Sequence, residues 1–180
     1  KMCVHGLVYD MTVSAAKAAA LGAGAIVRQT TAGRLTEADL AEQRAIQPNL
    51  ILLAGGTDGG ERETALYNAK LIAKAGTGAP VLYAGNAQNQ SAIRAIFEQA
   101  GIPVYIAENV YPLLDALNIE PVRKVIHAAF EKHIVSAPGM EHIRELVTGA
   151  ILPTPGAVTQ GSDEIARLLT APEPFNKRTV

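Results

Sequence analysis

A glycine-rich turn after an apolar run is the part of this sequence best suited to binding chemistry. Residues 50–54 are apolar, and the turn that follows consists of Gly55, Gly56, Thr57, Asp58, Gly59 and Gly60. Glycine permits left-handed backbone and lets a ligand come close to the main chain. Because a helix-compatible stretch begins at residue 61, the turn can also direct backbone N–H groups at an anion. We therefore predict an anion or phosphate site in residues 55–60, the glycine loop, with Asp58 as a candidate metal ligand.

A purely structural interpretation of the glycine loop stays open beside this one. Turns from a strand to a helix need glycine for local reasons, and Asp58 can serve as the cap of the helix that follows. The loop also matches neither common nucleotide fingerprint, since it has no Gly-x-Gly-x-x-Gly and no Gly-Lys-Ser/Thr ending. The sequence thus predicts a generic anion cradle rather than a named cofactor motif.

Further polar residues follow the other apolar runs of the chain. Asp10 follows the first run, Asn86 the fourth, and Glu108, Asn109 and Tyr111 the fifth. Because the carboxyl ends of parallel strands share one edge of a sheet, we expect these side chains on the rim around the glycine loop, with Asn86 in the ligand site. Oxygen ligands on such a rim can hold a hard cation. The alternative is that each side chain caps a helix or a turn.

Motifs for other chemistries are missing from the sequence. The four histidines lack the three- or four-residue spacing that places two imidazoles on one helix face, so no zinc site is predicted. Cys3, the single cysteine, lies in an apolar segment and is expected to be a buried core residue rather than a nucleophile. A Gly-x-Ser-x-Gly elbow is also missing. We therefore predict no catalytic residue.

The composition favours a globular protein without a nucleic-acid partner. Hydrophobic residues make up 48% of the 180 positions and charged residues 18%, which suits one domain with a sizeable core. A net charge of -1 and an aromatic content of 4% lack the basic surface and stacking platforms that nucleic acids require. No apolar run reaches the ~20 residues of a membrane span. We expect a cytoplasmic protein and, since the chain opens at Lys1 without an initiator methionine, a piece of a longer one.

Alternating patterns in the first two thirds of the chain predict an α/β fold. Apolar runs at 2–9, 25–31, 50–54, 81–85 and 102–107 indicate five strands, and helical spacing at 13–21, 37–46, 61–75 and 91–100 indicates the helices between them. Thr36 and Asp39 form a possible capping box for the second helix. Short links between alternating elements favour parallel pairing with helices on both faces of the sheet. The prediction is a doubly wound, mainly parallel five-stranded sandwich of the Rossmann or flavodoxin-like kind.

The C-terminal third predicts helices without further strands. Helices are expected at 121–133, 140–149 and 162–169, with a rigid proline-containing link at 151–156 before the last one. We therefore assign residues 1–112 to the sandwich and residues 113–180 to a helical extension packed on the same domain.

Four separated segments resemble one known family. The segment from Leu50 to Ala69, which contains the glycine loop, is similar to the Leu-Leu-Ala-Gly-Gly-Thr-Asp-Gly-Gly segment of the methylaspartate mutase accessory proteins, the GlmL/MutL family. The other segments agree in the same order: residues 6–8 with 18–25, residues 80–86 and residues 153–158. The resemblance covers nearly the whole chain.

This resemblance implies a chaperone-like reactivating factor, an ATPase of the actin/Hsp70 superfold that releases damaged cobalamin from adenosylcobalamin-dependent glutamate and ornithine mutases. ATP and Mg²⁺ are the cofactors implied for the family, and the mutase is the implied partner. The family's Asp-x-Gly-Ser and Asp-x-Gly-Gly-x-Thr-Thr-Asp phosphate motifs, expected before Lys1 and after Val180, are absent here. The chain therefore resembles an inserted middle domain, and catalysis by this part alone is not expected.

Two functional classes follow from these observations. In the first, the domain is an interaction or regulatory module whose rim contacts the mutase or the ATPase lobes. In the second, the glycine loop binds a small phosphate-bearing ligand or a nucleotide. Direct ligation of cobalamin has little support, because the Asp-x-His-x-x-Gly motif of base-off cobalamin proteins is missing.

Overall fold

The computed structural model describes residues 1–135, 146 and 154–170. Five strands run through the first part of the chain: β1 (Met2–Gly6), β2 (Val27–Ala32), β3 (Leu50–Leu53), β4 (Val81–Tyr83) and β5 (Val104–Ile106). The helices are α1 (Ser14–Gly22), α2 (Glu37–Ile46), α3 (Glu63–Ala75), α4 (Gln90–Gln99), α5 (Ile119–Val135) and α6 (Thr154–Thr170). A π-helical turn (Tyr9–Val13) precedes α1, and a 3-10 turn (Ala87–Asn89) precedes α4.

The five strands form one parallel sheet in the order β2-β1-β3-β4-β5. Two apolar clusters cover its faces. The cluster on one face joins the alanines of α1 to Val122 and Ile126 of α5, and the cluster on the other joins Leu40 of α2 to the apolar residues of α3 and α4. The doubly wound parallel α/β sandwich predicted from the sequence is therefore confirmed.

The chain divides into two compact units, Lys1–Phe130 and Glu131–Val180. The sheet, α1 to α4 and the first part of α5 belong to the first unit, and α6 belongs to the second. The helix predicted at 140–149 lies outside the described residues except for Leu146, which is helical. Among the described parts of the chain, no helix has the length and apolar character needed to cross a membrane.

Two predicted boundaries are wrong. The first strand ends at Gly6 rather than at residue 9, because the Thr12 hydroxyl accepts hydrogen bonds from the N–H groups of Leu7 and Val8 at 2.9 and 3.1 Å and turns the chain into the π-helical turn. The last helix begins at Thr154 rather than at residue 162. Pro155 stands in its first turn, where the missing N–H costs no intrahelical bond, so residues 154–156 belong to the helix and not to a rigid link.

Local signals are best confirmed at α2. The Thr36 N–H donates to Asp39 Oδ2 at 2.7 Å, and the Asp39 N–H donates to Thr36 Oγ1 at 3.3 Å, so the predicted capping box is formed. These bonds satisfy donors that the first turn of a helix leaves without intrahelical partners.

His5 ties β1 to its neighbours on the α2 face of the sheet. Its Nε2 lies 2.8 Å from Oε1 of Gln43 on α2, and its Nδ1 lies 2.8 Å from Oγ1 of Thr31 on β2. Burial lowers the pKa of His5 to about 4, so the imidazole is neutral near pH 7. The neutral ring then donates to Gln43 through Nε2 and accepts from the Thr31 hydroxyl at Nδ1.

Candidate functional site

The glycine loop lies at the point where the strand order reverses. The chain leaves β1 for β2 on one side and leaves β3 for β4 on the other, so the carboxyl ends of β1 and β3 flank the switch point of the sheet. A Cβ added to Gly55 would lie 3.7 Å from Cβ of Leu7, so the loops that follow these two strands are direct neighbours. This is where open α/β sheets form ligand crevices.

Contacts inside the loop explain two of its glycines. Gly56 has a φ of 69°, and a Cβ placed there would collide with the carbonyl oxygen of Glu61. A Cβ on Gly60 would lie 2.6 Å from Oγ1 of Thr57. The Gly60 N–H also donates to the Thr57 carbonyl at 2.9 Å, which closes a tight turn. Glycine is therefore required at position 56 by the loop itself, whether or not a ligand is bound, and a side chain at position 60 would displace the Thr57 hydroxyl.

Asp58 connects three loops of the carboxyl edge. Its Oδ1 accepts from the Ala87 N–H at 2.8 Å and from Asn109 Nδ2 at 2.9 Å, and its N–H donates to the Pro112 carbonyl at 2.9 Å. The interpretation of Asp58 as the cap of α3 is wrong. Glu61 instead supplies a side-chain acceptor to the first turn of α3, because its Oε1 accepts from the Thr64 N–H at 2.8 Å.

Asn86 is buried beneath the loop and uses both ends of its amide there. Its Oδ1 accepts from the N–H groups of Gln88 at 3.0 Å and Gly59 at 3.4 Å, and its Nδ2 donates to the Gly60 carbonyl at 3.2 Å. Its own carbonyl accepts from the Tyr83 hydroxyl at 3.0 Å, and burial raises the pKa of Tyr83, which keeps that hydroxyl protonated. Asn86 thus holds the glycine loop to the end of β4.

Asn109 holds the same loop from the other side. Its Nδ2 donates to the Gly56 carbonyl at 3.0 Å as well as to Asp58, and its Oδ1 accepts from the Tyr111 N–H at 3.1 Å. Tyr111 is itself buried, and its hydroxyl accepts from the Asp115 N–H at 3.0 Å. Glu108 is exposed and accepts from Asn118 Nδ2 at 3.0 Å. The structure therefore brings Asp58, Asn86 and Asn109 into one network.

Asp10 lies apart from this network. It is exposed in the π-helical turn after β1, and within the described chain it makes none of the hydrogen bonds that fix the glycine loop. In the ranges 1–135 and 154–170, no three acidic, histidine or cysteine side chains group as a metal site. Asp10, Asp58 and Glu108 are therefore not among such groups in these ranges, and a cation held at the rim, with Asp58 as its ligand, stays a prediction.

The sequence interpretation missed the role of a third buried amide at this edge. Asn89 is buried, its Oδ1 accepts from Arg62 Nε at 3.0 Å, and its Nδ2 donates to the Arg62 carbonyl at 2.9 Å. The Arg62 guanidinium also donates to the Gln88 carbonyl at 3.3 Å. The spacing of Asn86 and Asn89 by three residues after an apolar run is a sequence signal that could have found this pair.

Cys3 behaves as the sequence predicted. The side chain is buried in β1, and burial raises the pKa of the Cys3 thiol to about 11. A protonated thiol in a strand interior is a poor nucleophile at neutral pH.

The arrangement at the carboxyl edge is a rigid polar scaffold. Three buried asparagines and Asp58 form hydrogen bonds between the loops after β3, β4 and β5, so these loops hold one another in place. The exposed side chains in and next to the loop include the carboxylates of Asp58 and Glu61, which disfavour a phosphate there.

Fold and site together define a doubly wound α/β domain with a braced glycine-rich loop at its switch point. Comparison with known families gives a more specific result, because residues 1–179 match the family model described as MutL protein. The chain belongs to this family. It is 42% identical over 166 residues to Protein MutL of Clostridium tetanomorphum, covering 92% of this chain and 36% of that relative. The chain therefore spans about a third of the length of that curated protein.

Solved structures show a weaker likeness. Two crystal structures of NtrX from Brucella abortus, one in complex with ADP and one with ATP, match 93% of this chain and 34% of theirs. Their TM-scores are 0.47 and 0.45 and their identities 15% and 17%. At these values the likeness carries no argument about ligands.

Proposed function

We propose that this chain is the α/β interaction module of a chaperone-like reactivating factor for an adenosylcobalamin-dependent aminomutase. Membership of the MutL protein family over residues 1–179 supports the association with a mutase. The observation that favours an interaction module over a ligand site is the closed hydrogen bonding of the glycine loop, in which Asp58, Asn86 and Asn109 are already committed to neighbouring loops.

The module acts by contact rather than by hydrolysis. In this proposal ATP and Mg²⁺ are bound by other parts of the reactivating factor, and the carboxyl edge of the sheet contacts the mutase or those other parts. A loop braced by the loops after β4 and β5 suits this role, because a preorganised surface loses less conformational entropy on binding.

A second candidate function is binding of a phosphate-bearing ligand or a nucleotide by the glycine loop. The specific observation in its favour is the position of the loop at the switch point of the sheet. In this alternative, backbone N–H groups at the start of α3 would hold the phosphate. The carboxylates of Asp58 and Glu61 weigh against it, because each repels an anion.

Calorimetry separates the two functions. The protein is titrated in parallel with ATP and Mg²⁺ and with purified mutase, and the Asp58→Ala variant serves as the control after its fold is checked by circular dichroism. If the domain is an interaction module, titration with the mutase gives saturable heat. Titration with ATP then gives no heat that the Asp58→Ala change removes. Saturable ATP heat that disappears in a folded Asp58→Ala variant would instead establish the second function.

A further inference from the structure

The turn between β5 and α5 exposes three large apolar side chains. Leu113, Leu114 and Leu117 are 63%, 73% and 62% exposed. They lie within residues 112–118, which we name the leucine turn. Across the same carboxyl edge, Tyr9 in the turn after β1 is 54% exposed. Contiguous exposed apolar side chains on a folded protein mark sites of protein contact.

The leucine turn is held in one conformation. Asp115 has a φ of 58°, which is uncommon for a residue other than glycine and costs energy unless its surroundings fix it. The Asp115 N–H donates to the Tyr111 hydroxyl at 3.0 Å, and the Ala116 N–H donates to the Leu113 carbonyl at 3.2 Å. Asn118 closes the turn, because its N–H donates to the Val110 carbonyl at 2.9 Å. The leucines are therefore displayed by a preorganised turn.

The same turn is joined to the glycine loop. The carbonyl of Pro112, its first residue, accepts from the Asp58 N–H at 2.9 Å, and Asn109 next to it bonds to both Gly56 and Asp58. The braced loop and the leucine turn form one continuous surface.

The exposed charges in the loops after β1, β3 and β5 are mainly acidic. The loops after β1, β3 and β5 carry five exposed acidic residues, which we name the acidic rim: Asp10, Asp58, Glu61, Glu108 and Asp115. The basic residue in these loops, Arg62, is tied to Asn89 and the Gln88 carbonyl. At the opposite edge, by contrast, Arg44 and Lys74 stand in the last turns of α2 and α3. Positive charge on a partner that covers the leucine turn would complement the acidic rim.

We infer that the leucine turn and the acidic rim form a docking surface for an apolar protein surface bordered by lysine or arginine. This inference rests on the proposed function, in which that surface belongs to the mutase. Leucine side chains would supply the buried contact, and the acidic rim would orient the partner and speed its association.

The test measures binding of purified mutase to the intact protein, to a Leu114→Asp, Leu117→Asp variant and to an Ile26→Asp control. Ile26 is 59% exposed at the opposite edge of the sheet, so its variant gains charge on a comparably exposed apolar site. We expect the double variant to bind at least about tenfold more weakly, and the control to bind like the wild type. Thermal unfolding checks that all three proteins are folded.

A second arm tests the charge. Asn tolerates the left-handed backbone of position 115, so Asp115→Asn removes a carboxylate without disturbing the turn. We expect about threefold weaker binding and a shallower fall of affinity between low and high salt.

Binding of a synthetic amphipathic helix of leucine and lysine is measured as well, and a helix of leucine and glutamate is its control. These measurements make the outcomes distinguishable. Mutase binding that is equal in wild type and double variant overturns the docking surface and leaves the proposed function standing. Absence of mutase binding by the wild type overturns the proposed function. In that case, the docking surface is supported if the wild type and the Ile26→Asp control bind the leucine and lysine helix and the double variant does not. It is overturned if no protein binds that helix or if all bind it equally.

Discussion

Single buried amides decide how the carboxyl edge is built. Asn86, Asn89 and Asn109 each satisfy backbone groups of loops that lie far away in the sequence, and all three are almost completely buried. A buried donor or acceptor that loses its partner pays the full cost of desolvation, which exceeds the net gain from forming the bond. These residues are therefore more important for stability than their surface neighbours.

Asn86→Ala is expected to lower the free energy of unfolding by ~3 kcal/mol, because it leaves the N–H groups of Gly59 and Gln88 and the Gly60 carbonyl without this partner. Urea unfolding measures the change. Gln88→Ala is the matched control, since Gln88 is exposed in the same turn and should cost less than ~0.5 kcal/mol. Equal losses in the two variants would contradict the bracing role of Asn86.

His5 predicts an acid-dependent loss of stability. Its pKa in the folded protein is lowered to about 4 from 6.5, so the unfolded chain takes up a proton first as the pH falls. The contribution of His5 is therefore fully present above pH 6.5 and is lost progressively as the pH falls toward 4. Between pH 7 and pH 5 the loss should be ~2 kcal/mol.

Urea unfolding of wild type and His5→Gln at both pH values measures this contribution. The variant lacks a titrating ring, so its stability should change less between the two pH values, by the amount assigned to His5. Identical pH dependence of the two proteins would show that the imidazole is not buried in its neutral form.

At the scale of elements, the shape of the glycine loop depends on the close approach of Gly56 to the Glu61 carbonyl. Gly56 and Gly33 both lie in loops between a strand and a helix and have φ values of 69° and 78°. A Cβ on Gly56 collides with the Glu61 carbonyl, whereas a Cβ on Gly33 meets no atom within 4 Å. The two positions therefore separate the cost of left-handed backbone from the cost of a collision.

Gly33→Ala should cost ~1 kcal/mol for its backbone conformation alone, and Gly56→Ala should cost at least ~2 kcal/mol more because the loop must shift away from Glu61. Unfolding in urea gives both values. Similar losses at the two positions would show that the loop accommodates a side chain and is not tightly fixed.

The capping box of α2 gives a second prediction for an element. Thr36→Ala removes the hydroxyl that accepts from the Asp39 N–H and should cost about 1 kcal/mol, whereas Thr36→Ser should retain most of the stability. Thermal unfolding compares the two variants. Equal destabilisation by alanine and serine would assign the loss to the threonine methyl group and not to the cap.

Elements set by local signals could be predicted, and contacts between distant loops could not. Apolar runs gave the five strands, and the Thr36 and Asp39 pair marked the start of α2 correctly. By contrast, the bond from Asn109 to Gly56 joins residues 53 positions apart, and no local pattern encodes it. Asn86 was recognised by its place after a strand, but its role in bracing the loop depends on the tertiary structure.

At the scale of the whole molecule, the carboxyl edge of the sheet combines loops held by hydrogen bonds with exposed apolar side chains. The loops after β1, β3, β4 and β5 all reach this edge, and the leucine turn adds exposed apolar side chains to it. Membership of the MutL protein family gives the proposal of a mutase partner its basis. We therefore expect contact with the mutase at the carboxyl edge and not at the opposite one.

Hydrogen exchange of the protein alone and in the presence of mutase tests this claim most directly. We expect slower exchange in residues 7–13 and 107–118 when the mutase is added, with little change at residues 23–26 and 76–80 on the opposite edge. Unchanged exchange throughout, or protection confined to the opposite edge, would contradict an interaction module that uses the carboxyl edge of its sheet.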